Sequence, residues 1–451
     1  MNIIIVGCGK IGQSLAKQLS EDHNDITVVD TSPDKVKEVS TSLDVLGVVG
    51  NGATLAVQEE AGIAKADLLI AVTGSDELNL LCCLIAKKAR DCRTIARVRR
   101  PEYSADVDFL QNELGLAMVI NPQQATAEEI ARVLRFPSAI KIDTFGGGLV
   151  ELLKFRIPEK SALIGLSVRE VVSKLRCNVL ICTVERGEEA YIANAGLTFA
   201  ARDVISIVAS PKSAADFFKK IGYRAHAVGS VMIAGGGETA HYLCESLSHS
   251  GIAIKIIEKN PATCEDLCAR FPDIPIICGN AGDEQTLMEE GLGGTDAFVA
   301  LTNLDEENIL LSLFAKGKGV SKIVAKIKRL DFDGVIRHLD LDTVVYPKNV
   351  AADLIVRYVR AMKNSIGSNV ETLYNVIQDK VEASEFIIRK NSPIVGVPLS
   401  ELTFKEHMLI AAIVRDKHVI IPHGQDRIQP DDRVVVVSGI TALHDITDIL
   451  K

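Results

Sequence analysis

Gly7, Gly9 and Gly12 follow an apolar run in IIIVGCGKIG (residues 3–12), and Asp30 closes the next apolar run, 18 residues beyond Gly12. Each of these positions suits phosphate binding for its own reason. Gly7 permits a tight turn after a strand, Gly9 lets the backbone approach a pyrophosphate, and Gly12 lets the following helix pack against the sheet. The amides and dipole of that helix would face the phosphates, and the Asp30 carboxylate would accept the ribose hydroxyls. A structural turn without a ligand also favours glycine, but here strand, turn, helix and acidic strand end all occur in order.

VMIAGGGETA (231–240) presents almost the same phrase. Gly235 and Gly237 take the places of Gly7 and Gly9, Ala240 that of Gly12, and Glu258 that of Asp30, which keeps the ribose acceptor. Glu238 stands where Lys10 does, a charge reversal that should weaken binding of polyanionic nucleotides. Thr73 and Thr302 end a fourth strand at its carboxyl edge, the side where ligands bind in open α/β sheets. Their hydroxyls fit ribose or adenine, or a plain strand-end cap. Asp76 and Asn79, with Asp305 and Asn308, open the next helix and read as N-capping and polar-face residues. Arg97 and Lys326, at the end of a fifth strand, suit phosphate or adenine, or a solvated strand-end charge. Arg99 and Arg100 read as surface.

These residues need elements to hold them, and the chain repeats those elements, which is the first thing to establish in any fold. AVTGSDELNLLCCLIAK (71–87) lies over ALTNLDEENILLSLFAK (300–316) with 9 identities in 17 positions. Gly50-Asn51 falls on Gly279-Asn280, TIARVRRPEY (94–103) on IVAKIKRLDF (323–332), and VELLKFRIPEKSALIGLSV (150–168) on VEASEFIIRKNSPIVGVPL (381–399). Each larger unit alternates strand and helix: strands 3–7, 26–30, 45–49, 67–72, 94–98 and 117–120, with helices from Gly12, from Pro33 and over 76–90 among the connections. That pattern predicts an α/β fold, a Rossmann-like doubly wound parallel sheet. Each smaller unit predicts a compact α+β module, with strands 149–157, 179–185, 190–193 and 204–208 and one helix from about Val168. Gly146-Gly147-Gly148, the stretch 219–230 and NSIGSN (364–369) read as joins.

Bulk composition sets limits. The chain has 451 residues, enough for about three ordinary domains, and the parallel strands can be aliphatic because 47% of it is hydrophobic and only 4% aromatic. A formal charge of -9 argues against nucleic acid as a partner. No apolar run is long enough for a membrane span, and the N-terminus enters a strand without signal-peptide features, so a cytoplasmic chain with at most peripheral membrane contact is expected. The ten cysteines lack metal-ligand spacing and read as reduced core residues, Cys82 and Cys83 in one helix, Cys264 and Cys268 four apart in another.

The motif series GCGKIG, VVD, GNGATL, KADLLIAVTGSDELNLL and RTIARV resembles the domain that regulates conductance of potassium (RCK), and the smaller module resembles that domain's C-terminal part. Two full copies in one chain resemble the tandem-RCK regulatory subunits of Trk-type potassium uptake systems. The resemblance spans essentially the whole chain and implies RCK N-terminal (Rossmann-like) domains at 1–140 and 228–365, with C-terminal domains at 141–222 and 370–451. It implies NAD(H), or ATP or ADP, at the glycine turns. The first site would comprise Gly7, Cys8, Gly9, Lys10, Ile11, Asp30, Asn51, Thr73 and Arg97. The second would comprise Gly235, Gly236, Gly237, Glu238, Thr239, Glu258, Asn280 and Thr302. Many single-copy relatives carry Arg in place of Lys10 and Asp in place of Asn51 and Asn280. It further implies a homo-oligomeric ring, a tetramer, peripheral on the cytoplasmic face beneath a Trk-family potassium-translocating membrane protein of the TrkH type.

Two other functions compete. An NAD-dependent oxidoreductase needs a substrate domain that brings an acid or base to the nicotinamide, and the small modules leave little room for one. The histidines, among them His23, His226, His241, His249 and His338, share no position between the halves, so no catalytic or metal residue is expected. The other alternative keeps the domains and changes the partner to another cation channel or an antiporter.

Overall fold

Short runs of Val, Ile, Leu and Ala bounded by glycines and polar turns become parallel strands buried on both faces. The computed structural model describes residues 1–100, 103, 107–135, 139–145, 149–187, 189–221, 228–248, 250–328, 336, 339, 341, 343–365, 370–377, 380–439, 443 and 445–451. The join read at 146–148, the parts 222–227 and 366–369 of the joins read at 219–230 and 364–369, and His226, His249 and His338 lie outside the described residues. Packing gathers the chain into two compact units, Met1–Ala131 with Ser230–Val356, and Arg132–Gly229 with Arg357–Lys451.

The first unit holds two six-stranded sheets. One comprises β1 (Asn2–Val6), β2 (Asp25–Asp30), β3 (Leu46–Val49), β4 (Leu68–Ala71), β5 (Arg93–Arg97) and β6 (Met118–Ile120) in the order β3-β2-β1-β4-β5-β6. Every pairing is parallel. The order reverses beside β1, which creates the crevice at the carboxyl edge where open α/β sheets bind ligands. Helices Lys10–Glu21, Pro33–Ser42 and Asp76–Ala89 make the connections. The last buries Cys82 and Cys83 against Val6, Val29 and Leu69. The other sheet repeats this order in β12 (Ser230–Ala234), β13 (Ala253–Glu258), β14 (Ile276–Cys278), β15 (Ala297–Ala300), β16 (Lys322–Lys326) and β17 (Thr343–Val345) as β14-β13-β12-β15-β16-β17. The doubly wound parallel fold expected from the sequence is present twice.

The second unit holds two antiparallel sheets. β7 (Lys141–Phe145), β8 (Val150–Arg156), β9 (Val179–Arg186), β10 (Glu189–Ile192) and β11 (Val204–Ala209) are ordered β10-β9-β11-β8-β7. β18 (Val370–Ile377), β19 (Val381–Ile387), β20 (Met408–Arg415), β21 (His418–Ile420) and β22 (Arg433–Gly439) are ordered β18-β19-β22-β20-β21. Phe145, Val150 and Cys182 of the first meet Ala383, Ala411 and Val435 of the second in one core. Two elements exceed the expectation for the first module: the strand β7 and the helix Pro211–Lys220, whose Phe217 and Phe218 pack edge-on against Phe155. The second module has only a single 3-10 turn, Leu399–Glu401, where the first has the helix Val168–Leu175.

Glu151 on β8 is a buried acid in this unit. Burial raises its carboxyl from 4.5 to about 7, against the opposing pull of Arg135. The folded chain therefore keeps a proton that the unfolded chain gives up, so the stability this group contributes is full below about pH 4.5 and declines toward pH 7. The unfolding midpoint should fall between about pH 5 and about pH 7.5, and Glu151→Gln should flatten that slope. A denaturant titration at the two pH values checks it, and equal slopes in both chains would reject the assignment.

Candidate functional site

Backbone geometry explains the glycines. Gly7 sits at φ +108°, a conformation that side chains disfavour, and an added Cβ would lie 3.0 Å from the Thr73 amide nitrogen. Gly235 repeats this at φ +101°, against Leu301 and Thr302. A Cβ at Gly9 or Gly237 would meet nothing within 4 Å. These glycines precede the helices Lys10–Glu21 and Glu238–Leu247, and neither helix start has a side-chain cap. The first-turn amides are thus left to whatever occupies the space in front of them.

That space is one cleft. A cavity of about 900 Å³ is lined by Gly9, Lys10, Ile11 and Arg97 from the first half and by Gly235, Gly237, Glu238, Thr239, Glu258, Asn280 and Thr302 from the second. The two turns therefore open onto the same space. Lys10 crosses it, its Nζ donating to the Lys328 carbonyl at 3.3 Å. Beside it the Asn121 amide donates to the Tyr242 hydroxyl at 2.9 Å, which ties the halves of this unit together. Seven Lys and Arg side chains line the cleft against three carboxylates, in a chain whose net charge is -9.

Of the expected site residues, Gly7, Cys8, Asp30, Asn51, Thr73 and Gly236 lie outside this lining, and several expected polar groups on either side of it are taken up by the backbone. Both Asp30 oxygens accept amides, from Cys8 at 2.8 Å and Ser32 at 2.9 Å. Glu258 does the same for Gly236 at 2.6 Å and Asn260 at 2.8 Å. The strand-end carboxylates thus brace the glycine turns directly. Cys8 is 2% exposed, and burial with the Asp30 charge pushes its thiol up to about 12, so its contribution is backbone. Asn51 caps its own turn through the Ala53 amide at 3.0 Å, as Asn280 does through Gly282 at 3.1 Å. The Thr73 hydroxyl donates to Asn79 Oδ1 at 2.7 Å, and that of Thr302 to the Leu304 carbonyl at 3.2 Å.

The capping and polar-face reading of Asp76, Asn79, Asp305 and Asn308 is corrected. All four are buried. Ser75 caps the helix Asp76–Ala89 instead. Asp76 accepts the Arg99 and Arg100 amides at 2.9 and 3.0 Å, and Asp305 the Lys328 amide at 3.0 Å. Asn79 joins the Thr73 amide at 2.8 Å to the Arg97 carbonyl at 2.9 Å, and Asn308 joins Thr302 to Lys326 in the same way. These groups clamp the ends of neighbouring strands and thereby aim the cations beyond them.

Those cations carry the electrostatics. Lys326 is 6% exposed, with Nζ donating to the Leu301 carbonyl at 2.8 Å. Burial, then the Lys328 charge, lowers its ammonium to about 8, with Asp305 and Glu238 opposing. Burial, then Arg99, lowers Arg97 to about 10. Arg97 donates to the Thr73 carbonyl, while its buried Nε has no partner in the described structure. Two desolvated cations on a cleft wall favour an anionic ligand. Arg99 also lines the cleft, which corrects its surface assignment. The pairing of Arg99 with Lys328 in the two repeats was the signal for that wall.

The structure also corrects part of the cysteine expectation, since Cys268 and Cys278 are exposed while Cys82, Cys83, Cys244 and Cys264 are buried. Among the described residues no group of metal-ligating side chains is gathered, and no helix is long and apolar enough to cross a membrane.

Comparison with known proteins gives consistent relatives. The TrkA-N domain family matches residues 3–122 and 231–347, and the TrkA-C domain family matches 152–222 and 383–451. A Trk system potassium uptake protein TrkA homolog from Archaeoglobus fulgidus is 31% identical over 100% of both chains. The Trk system potassium uptake protein TrkA of Halomonas elongata is 30% identical, covering 97% of this chain and 95% of its own. Among solved structures, the GsuK channel bound to NAD superposes with a TM-score of 0.64 at 17% identity, over 97% of this chain and 76% of that one. That likeness establishes the shared fold.

Proposed function

The chain belongs to the TrkA family of Trk system potassium uptake proteins, and from that premise we propose a regulatory subunit that binds an adenine nucleotide in the cleft shared by its two glycine turns. It is not an enzyme: the relatives are named for potassium uptake. The observation that carries the reading is the wall of desolvated cations, Arg97 and Lys326, facing two uncapped helix N-termini. NAD(H) fits the doubled phosphate and ribose requirement, and ATP or ADP fits the cationic excess. The partner in this reading is a Trk-family potassium-translocating membrane protein of the TrkH type, beneath which the chains form a tetrameric ring on the cytoplasmic face.

Nucleotide can shift a conformational equilibrium only by its differential affinity for the two states. A tenfold preference per site supplies about 1.4 kcal/mol, so several coupled sites in a ring turn a modest preference into a switch. The test is potassium flux through the reconstituted chain and membrane partner during titration with NADH and ATP. Flux that ignores both would reject the function, as would turnover of NADH by the chain.

Asp30→Ala tests the first turn. It removes the carboxylate that holds the Cys8 and Ser32 amides and so braces the turn, and binding should weaken by about 1.5–3 kcal/mol, typical of bonds to charged groups. Calorimetry with NADH measures it, alongside a melt showing that the chain remains folded. An unchanged isotherm would remove Asp30 from the site.

A further inference from the structure

Two thiols meet at the open edge of the second parallel sheet. Cys264, on the helix Pro261–Arg270, donates its thiol to the Glu258 carbonyl at 3.2 Å. Glu258 is the register partner of Cys278, the last residue of the edge strand β14, so the Cys264 thiol is held against the backbone directly beside Cys278. Cys264 is 6% exposed, whereas Cys278 and Cys268, one helical turn along, face solvent. We infer that Cys264 and Cys278 form an oxidisable thiol pair, closed to a disulfide by a small-molecule disulfide of the glutathione class.

The exchange runs through the exposed partner. The Cys278 thiolate attacks one sulfur of the oxidant, a protein–small-molecule disulfide forms, and the first small thiolate leaves and takes a proton. Cys264 then attacks the Cys278 sulfur as its thiolate, expelling the second small thiolate. The protein loses two hydrogens and the oxidant becomes two thiols. Burial first, then the Cys278 thiol, holds Cys264 up at about 11, so it reacts poorly alone. Capping Cys278 removes the contribution that Cys278 itself makes.

The pair belongs to the second half only. Aligned through Gly50-Asn51 and Asp30, the first half has Val49 and Val36 at these places. Closing the bond takes the S–H donor from the Glu258 carbonyl, while the carboxylate of the same residue holds the Gly236 amide at 2.6 Å. Oxidation would thus act on the second glycine turn and spare the first. The pair stands independently of any nucleotide.

The experiment incubates the full chain with glutathione disulfide, then counts thiols after denaturation and maps linked peptides by mass spectrometry. Two thiols should be lost, a Cys264–Cys278 peptide should appear, and dithiothreitol should reverse both. Cys264→Ser should instead stop at a glutathione adduct on Cys278, and Cys278→Ser should lose the cross-link. Retention of all ten thiols, or a cross-link through Cys268, would overturn the assignment.

Discussion

Gly12→Ala should unseat the first glycine turn and abolish nucleotide binding there. A Cβ at Gly12 would lie 1.8 Å from the Gly7 carbonyl oxygen, well inside van der Waals contact. Neither side can yield cheaply. Gly7 is fixed at φ +108° beneath the end of β4, and the helix Lys10–Glu21 buries Leu15, Ala16 and Leu19 completely. The helix must move off the sheet, at a cost of about 1–3 kcal/mol for overpacking, and its amides leave the cleft as it goes. The second half supplies the control. Ala240 already occupies the corresponding place, in a helix that opens on a tighter turn, with the Ala240 amide donating to the Gly237 carbonyl at 2.8 Å. His241 donates to the same carbonyl at 3.1 Å, as Gln13 does to the matching one in the first half at 2.9 Å, so the bond from Ala240 is what the second half adds. Ala240→Gly should therefore cost about 1 kcal/mol of helix propensity and no binding. Denaturant midpoints and calorimetry on both variants decide it. A Gly12→Ala chain with native stability and affinity would show that the turn is not the constraint described.

The strands were legible because parallel strands buried on both faces read as short runs of Val, Ile and Ala, as in the fully buried LLIA of β4. β7 escaped because its sequence, KIDTF, looks like a polar loop. Asp143 is buried there, and Lys141 pairs with it at 3.2 Å. The helix Pro211–Lys220 did carry a signal, a Ser210 cap followed by proline at its first position. Asp76 and Asn79 were misread for a different reason. Acids at a helix start usually cap it, and the amides that claim Asp76 come from Arg99 and Arg100, far along the chain. The shared cleft was equally hidden. A repeat shows that two turns exist, but whether they face each other depends on contacts such as Asn121 with Tyr242, which have no period.

Nucleotide affinity should fall as Lys326 loses its proton, the second large effect. Its ammonium, lowered to about 8 by burial and Lys328, must be charged to pair with phosphate, and a bound phosphate would raise it again. Proton and anion binding are then linked. Affinity is full below the ligand-free value and declines above it, so between about pH 7 and about pH 9 it should drop about tenfold. Arg97, lowered only to about 10, stays charged over that range and contributes no slope. Lys326→Met should remove the pH dependence and weaken binding by about 1.5–3 kcal/mol, the range for a bond to a charged group. Lys326→Arg puts there the residue that the first half carries as Arg97, lowered only to about 10, so its affinity should stay nearly flat between about pH 7 and about pH 9. Calorimetry with ATP and NADH at three pH values reads all three chains. A native chain whose affinity is the same at every pH would sever Lys326 from the ligand and leave it a structural donor to the Leu301 carbonyl.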